Sequence, residues 1–390
     1  MRLCAIAFKP CWQDEGGRWL SDGGHPFQMR ALSTLFDEMT LVIHRRRTPG
    51  SGGMPLPENA EIVPLRSPAG ADLRRKLSVA AGLPRYLVAL LRVIRKSDVV
   101  HTAVPSDIGL IGILIALLLR KRLIVRYSGS WVATGQTTMA NRITRGLMRA
   151  FAGGRNVMLA TGEGEKPPAP GISWLFSTAL SEREVSETRP ECSRGLGTPP
   201  RFAYIGRLSG EKGVAVLIDA LGILLRAGVR PLPEILIIGD GPERNALEKQ
   251  ATALGAATSI RFAGQLDRGA LKAALAGVDA CVQPSLTEGF SKAWLDAFIS
   301  ALPVVASDVG AAAMVIGRNH ERGWLVPPGD SGALARALRD VLSGPVDWPA
   351  LRRRCRSYAE GRTLEAWAGE IGARCADQWH MRVVRGKIAP

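Results

Sequence analysis

The 390-residue chain has only six cysteines and five histidines. The cysteines, at 4, 11, 192, 281, 355 and 375, form no C-x-x-C pair, and no histidine cluster accompanies them. Neither a zinc site nor a disulfide framework is indicated, and scattered reduced thiols fit a cytoplasm. Aromatics make up 6% of the residues, too few for the stacking platforms that single strands use, so no nucleic-acid partner is expected. No G-x-G-x-x-G follows a first strand, which disfavours a nicotinamide or flavin cofactor. The N-terminal "MRLCAIAFKPCW" turns polar too soon for a secretory signal. The longest nearly pure apolar run, "IGLIGILIALLL" at 108–119, has twelve residues where a membrane span takes about 20. It is expected as a buried helix.

What is present is globular: 46% hydrophobic and 22% charged residues, at a length suited to two domains with a cleft between them. The net charge of +16 is uneven. Residues 1–195 hold 27 Lys and Arg against 16 Asp and Glu, and residues 196–390 hold 24 against 19. Such an excess on one lobe predicts an anionic partner there, and charge alone does not choose among a membrane surface, an acidic glycan, a phosphorylated lipid and a nucleic acid, the last disfavoured by the few aromatics.

Short β-like runs at 2–8, 39–44, 98–104, 122–129 and 156–162 alternate with helical stretches, and a second set follows at 201–208, 234–241, 259–265, 280–285 and 303–308. This rhythm predicts an α/β protein of two Rossmann-like, doubly wound parallel sheets. "SEREVSETRPECSRGLGTPP", at 181–200, has no apolar period and reads as a connection. The expected division is 1–185, a linker at 186–200, a second domain at 201–362, and a terminal helix at 363–390 that packs back on the first.

In open α/β sheets ligands sit at the carboxyl ends of strands. "YIGRLSGEKGV" ends a strand at Gly206, with Arg207 next and Lys212 five residues on, two cations suited to a diphosphate or, equally, two solvated loop residues. "PSLTEGFSKAWLDAFISALPVV" places Glu288 in a loop before a helix that Ser291 caps and that carries Asp296. Either the two carboxylates reach different parts of an elongated ligand, or Glu288 complements the helix dipole and Asp296 is a surface residue.

"GRLSGEKGVAVLIDAL", "IIGDGP", "IRFAGQL", the segment from "PSLTEGF" to "ASDVG", and "GWLVPPGDSGALARAL" occur in the order and at about the spacings of the donor lobe of retaining family 4 glycosyltransferases. The chain resembles that family. The resemblance implies a GT-B fold, two Rossmann-like domains facing each other across a cleft, and transfer of a sugar from a nucleotide-diphosphate sugar to a hydroxyl of a glycan or lipid-linked acceptor. It assigns Arg207 and Lys212 to the leaving diphosphate and Glu288 to the donor sugar. Gly206, Gly289, Phe290 and Ser291 would line sugar and diphosphate, and Asp296 would hold the ribose. No metal and no cofactor beyond the sugar nucleotide is then expected, in keeping with the lack of a D-x-D motif.

Three positions depart from the family pattern. Asp296 replaces a longer glutamate. Ser291 and Lys292 replace a glycine and an apolar residue, so Lys292 either adds a phosphate contact or faces solvent. Ser128 and Gly129 stand where many members carry a histidine that contacts the donor. In the first lobe, "SDGGHPFQMRAL" resembles the family's glycine loop, making Gly23 and Gly24 substrate-binding candidates. His25 and His101 are each either a contact or an ordinary structural histidine.

The stretch from "ADLRRKL" to "RVIRK" sets Arg74, Arg75, Lys76, Arg85, Arg92, Arg95 and Lys96 among aliphatic residues, and "HRRRTPG" at 44–50 adds more charge. It predicts either a face for anionic lipid or a solvated face over a core. The expectation is a cytoplasmic enzyme, peripheral at the inner membrane face. The alternatives are a nucleotide-sugar 2-epimerase-like enzyme and a catalytically idle sugar-nucleotide scaffold.

Overall fold

The computed structural model describes residues 1–389 except 47, 49, 51–52, 69–71, 132–136 and 231, and not the side chains of 8, 72, 73, 75 and 76. Arg47 of the 44–50 run and the Arg75 and Lys76 side chains thus lie outside the described residues. The chain forms two compact units, Met1–Ala179 with Leu364–Pro390, and Leu180–Thr363.

The first unit runs β1 (Arg2–Gln13), β2 (Trp19–Ser21), α1 (His25–Ser33), β3 (Glu38–Arg45), β4 (Met54–Pro55), β5 (Ala60–Arg66), α2 (Asp72–Lys96), β6 (Val99–Val104), α3 (Asp107–Leu118), β7 (Arg122–Tyr127), α4 (Met139–Ala150), β8 (Asn156–Thr161) and β9 (Ile172–Leu175). Seven strands pair in parallel in the order β5-β3-β1-β6-β7-β8-β9, and β2 and β4 add antiparallel to the end of β1. Alternation assigns the two faces. Ile6, Val100, Val125 and Met158 meet Tyr86, Leu90 and Ile94 of α2, Ile108 and Ile113 of α3, and Met148 of α4 in one core. Those three helices therefore form one layer on one face.

Several sequence expectations shift here. β5 contains Pro64 and pairs only with β3, an edge position where a missing N–H is tolerated. The apolar run at 108–119 is buried on one side only, for Leu114 is 51% and Leu118 80% exposed. Helix α2 is 25 residues long with Pro84 inside. Its stretch Leu77–Lys96 is long and apolar enough to cross a membrane by composition, yet only 17% of its apolar window is buried.

The second unit runs α5 (Glu182–Glu187), β10 (Arg201–Ile205), α6 (Val214–Arg226), β11 (Glu234–Ile238), α7 (Arg244–Ala253), β12 (Ile260–Gly264), α8 (Arg268–Leu275), β13 (Ala280–Gln283), α9 (Lys292–Ile299), β14 (Val304–Ser307), α10 (Ala312–Val315), β15 (Gly323–Val326), α11 (Ser331–Ser343) and α12 (Trp348–Glu360). All six strands are parallel, in the order β12-β11-β10-β13-β14-β15. The order reverses between β10 and β13, the switch point where such sheets bind ligands.

The expected linker at 186–200 belongs to this unit instead. Arg352, fully buried, donates from Nε to the carbonyl of Arg194 (2.9 Å) and from Nη2 to that of Gly195 (3.4 Å). Arg194 in turn pairs with buried Asp279 at 2.9 Å. A segment with no apolar period is held by polar bonds to its backbone, which hydrophobic pattern does not register. Helix α13 (Leu364–Trp379) buries Trp367, Ile371 and Trp379, and Trp379 Nε1 donates to the carbonyl of Arg155 in the first unit.

Candidate active site

The site is built from the loops after β10 and β13. Past β10, Gly206 N bonds Ile238 O at 2.9 Å, and the Tyr204 hydroxyl donates to the carbonyl of Arg207 at 2.9 Å, fixing the turn. A short 3-10 turn, Gly210–Lys212, closes on Gly213, whose φ of +65° opens α6. There a Cβ would stand 2.1 Å from the carbonyl of Pro284, so only glycine admits the loop after β13 this closely. Leu286 N donates to Glu211 O at 2.9 Å and joins the two loops.

This joint brings Lys212 to Glu288, 76 residues away, in an ion pair of 2.5 Å. Both side chains are partly buried, 25% and 15% exposed. Glu288 Oε1 also accepts from the Gly289 amide at 3.2 Å. Neighbouring Arg207 is exposed, and its guanidinium bonds no described side chain. Lys212 and Glu288 therefore meet at the switch point, with Arg207 exposed on the loop that carries Lys212.

The Phe290 ring is buried and packs on Trp294 at 5.8 Å, so this position offers a ligand its backbone only, the part the resemblance assigns to lining the sugar and diphosphate. Ser291 stands at the N-cap of α9 but makes no side-chain capping bond. The expected cap is missing, which leaves the first amides of α9 without that acceptor. Lys292 is half-buried.

Asp296 is not a surface residue. It is 9% exposed, and its Oδ1 accepts from Arg268 Nη1 at 2.6 Å, while Arg268 Nη2 pairs with Glu184. Burial disfavours the Arg268 charge, and Asp296 and Glu184 together outweigh it and raise its pKa. Burial, opposed by Arg268, raises the pKa of Glu184. Neither Arg268 nor Glu184 carried a signal in sequence, because each lies in a different segment from Asp296 and only the fold joins them.

In the first unit, Gly23 has φ +65° and Gly24 precedes α1 without a side-chain cap. His25 follows, buried. Ser128 continues β7, its amide bonded to Val104 O at 2.6 Å, with Gly129 exposed beyond it. His101 lies inside β6 and is fully buried, not at a strand end.

Residues 191–362 match the family described as Glycosyl transferases group 1. A glycogen synthase of Mycobacterium tuberculosis is 33% identical over 226 residues, 56% of this chain and 53% of that protein. A phosphatidyl-myo-inositol mannosyltransferase of Mycobacterium leprae is 38% identical over 145 residues, 37% of each. The chain thus spans about half the length, or less, of these curated relatives. HepE of Anabaena, solved with UDP-glucose, superposes with a TM-score of 0.68 at 16% identity, covering 97% of this chain and all of that one. Residues 191–362 are thus similar to the glycosyl transferases group 1 family, and the chain has the two Rossmann-like domains of the GT-B fold.

Proposed function

We propose that the chain is a retaining, metal-independent glycosyltransferase that moves a sugar from a nucleotide diphosphate to a hydroxyl of a glycan or lipid-linked acceptor. The observation that carries this reading is the meeting of Lys212 and Glu288 at the switch point of the second sheet, on a loop that also carries the exposed Arg207. Cleavage of a glycosyl–phosphate bond builds negative charge on the departing diphosphate. Fixed cations and unshared helix amides stabilise that charge without reorganising. Arg207 and Lys212 supply the cations, the start of α9 supplies amides, and Glu288, oriented by Lys212, faces the sugar. The UDP-glucose held by HepE supports a nucleotide-sugar donor.

Thermal-shift titration with UDP-, GDP- and ADP-sugars, followed by a transfer assay, tests the reading. Arg207→Ala and Lys212→Ala are each expected to lower turnover at least about tenfold with the fold intact. Unchanged turnover in both removes the diphosphate role. Isomerised donor without transfer points to an epimerase, and binding without either points to a scaffold.

The same proposal includes an anionic membrane surface as partner of the first unit, which holds 28 Lys and Arg against 15 Asp and Glu. Of the thirteen large apolar side chains that are exposed among the described residues, nine lie on α2, α3, α4 or the residue closing α4. On α2, Leu77, Pro84, Leu87 and Val88 fall on one exposed stripe at 3.6 residues per turn, with Arg74, Arg85 and Arg92 along its edge. On α4, exposed Met139 and Ile143 lie beside Arg142 and Arg149. A leucine withdrawn from water contributes roughly 1.5–3 kcal/mol and each cation about 1 kcal/mol near an anionic leaflet. A few of each suffice for docking.

A further inference from the structure

The face of the first sheet opposite α2, α3 and α4 contains a buried guanidinium with two imidazoles near it. Arg126 on β7 is 3% exposed, and its guanidinium lies 5.5 Å from the centroid of the Trp367 ring of α13. His101, 1% exposed, is one strand over: β6 sets Ala103 beside Arg126 and His101 beside Ile124. His25, at the start of α1 after Gly23 and Gly24, is close enough to His101 for the two rings to interact electrostatically. Burial first, then the charges of Arg126 and His25, hold His101 well below the usual imidazole range.

Arg126 lacks the partners a buried charge requires. Nε and Nη2 of Arg126, both ring nitrogens of His101, and the hydroxyls of Ser128 and Thr161 are buried with no hydrogen-bond partner among the described residues. No Asp or Glu of the described residues pairs with Arg126. Burial brings Arg126 down only to about 10, so it stays cationic at neutral pH. By the two-residue period of β7, Ser128 lies on the Arg126 side of the sheet, just above it at the strand's carboxyl end. Beside these groups stands Ala5, small and paired with His101. Buried guanidinium groups are ordinarily matched by a carboxylate or phosphate in a bidentate fork.

We infer that Arg126, with His101, Ser128 and Thr161 beside it, binds an oxyanion, a carboxylate or phosphate carried by the acceptor. The anion site stands on the first unit alone. That the anion belongs to the acceptor rests on the glycosyltransferase reading. An acidic sugar or a phosphorylated glycan or lipid headgroup then fits, and a neutral sugar leaves the cation unmatched.

The full chain is titrated by thermal shift with inorganic phosphate, glucuronate, glucose 6-phosphate and neutral glucose, as wild type, Arg126→Met and His101→Phe. An unmatched buried charge destabilises the ligand-free fold, so Arg126→Met is expected to raise Tm by a few degrees. It is also expected to weaken the response to the charged probes by at least about tenfold. His101→Phe is expected to weaken that response less. Glucose has no effect in any variant. A fall in Tm for Arg126→Met with the anion response retained overturns the inference, leaving a structural arginine satisfied by water and by Trp367. Anion responses equal in wild type and both variants assign the ion to the diphosphate loops or to adventitious binding, and also overturn it. UDP titration separates the two readings: no UDP binding by wild type counts against the donor site and leaves the anion result standing. A response to phosphate and glucuronate alike, with no transfer to any acidic acceptor, keeps the site and removes its acceptor role.

Discussion

At the scale of single residues, the junction of Arg268 with Asp296 and Glu184 bears most directly on the site. The family resemblance gives Asp296 to the ribose of the donor, whereas the fold commits it to a guanidinium shared with α5. Removal of that guanidinium in Arg268→Ala leaves two partly buried carboxylates facing each other. With the 25% exposure of Arg268 and Glu184 lowering the cost below that of a fully buried pair, a loss of about 1–3 kcal/mol is expected. Its pH dependence has a definite sign. Burial, opposed by Arg268, already raises the folded-state pKa of Glu184, and without Arg268 it moves further up. A raised carboxylate contributes stability below its unfolded pKa and loses it as pH rises through the folded value. The deficit of Arg268→Ala relative to wild type is therefore expected to widen between about pH 4 and pH 7. Urea unfolding at both pH values checks this, and a deficit independent of pH excludes the carboxylate clash as its cause.

At the scale of elements, the loops around the switch point depend on backbone that comes closer than side chains allow. Gly213 has φ +65° and a would-be Cβ 2.1 Å from Pro284 O, and Gly310 has φ +57° and a would-be Cβ 2.2 Å from Glu288 O. Alanine at either position combines left-handed strain with a collision against backbone, and each is expected to destabilise by at least about 2 kcal/mol. In Gly213→Ala the Lys212–Glu288 pair is displaced as well, so turnover is expected to fall further than stability at 25 °C accounts for. Chemical denaturation beside a transfer assay separates the two effects. The helix layer is tested at the same scale. Leu87→Glu with Leu118→Glu and Ile143→Glu is expected to abolish flotation with vesicles containing anionic lipid while leaving unfolding unchanged. Flotation equal to wild type, or indifferent to lipid charge, counts against a membrane partner.

Across the whole molecule the thiols behave as small apolar groups. Burial pushes the Cys4 thiol up to about 12 and that of Cys11 up to about 11, and raises those of Cys281, Cys355 and Cys375 further. Only Cys192 is half-exposed. Native protein at pH 8 is expected to react with a chromogenic disulfide reagent at one thiol, and denatured protein at six. Rapid native labelling of more than one contradicts the packing of the strands and helices that carry them.

Most of the central framework was legible in sequence because it rests on local periodicity. Alternating apolar runs give β1, β3, β6, β7 and β8, and the glycine-bounded strands β10 to β14 follow the same rule. β5 escaped because Pro64 and its charges break the pattern, and a sheet edge tolerates both. The segment at 186–200 read as a free connection because its order comes from Arg352, more than 150 residues away.

For the site, the loop residues Arg207, Lys212 and Glu288 were candidates from their types and positions at strand ends. That Lys212 meets Glu288 was not legible, for it needs Gly213 to admit another strand's loop. The same holds for Asp296 with Arg268, and for Arg126 with His101. By itself the amino-acid order determined which stretches become strands, helices and glycine turns, since those follow from neighbours a few positions apart. Which charges meet, and which stay buried without a partner, was decided by the packing of distant segments, because Coulomb and hydrogen-bond energies depend on separation in space and not along the chain.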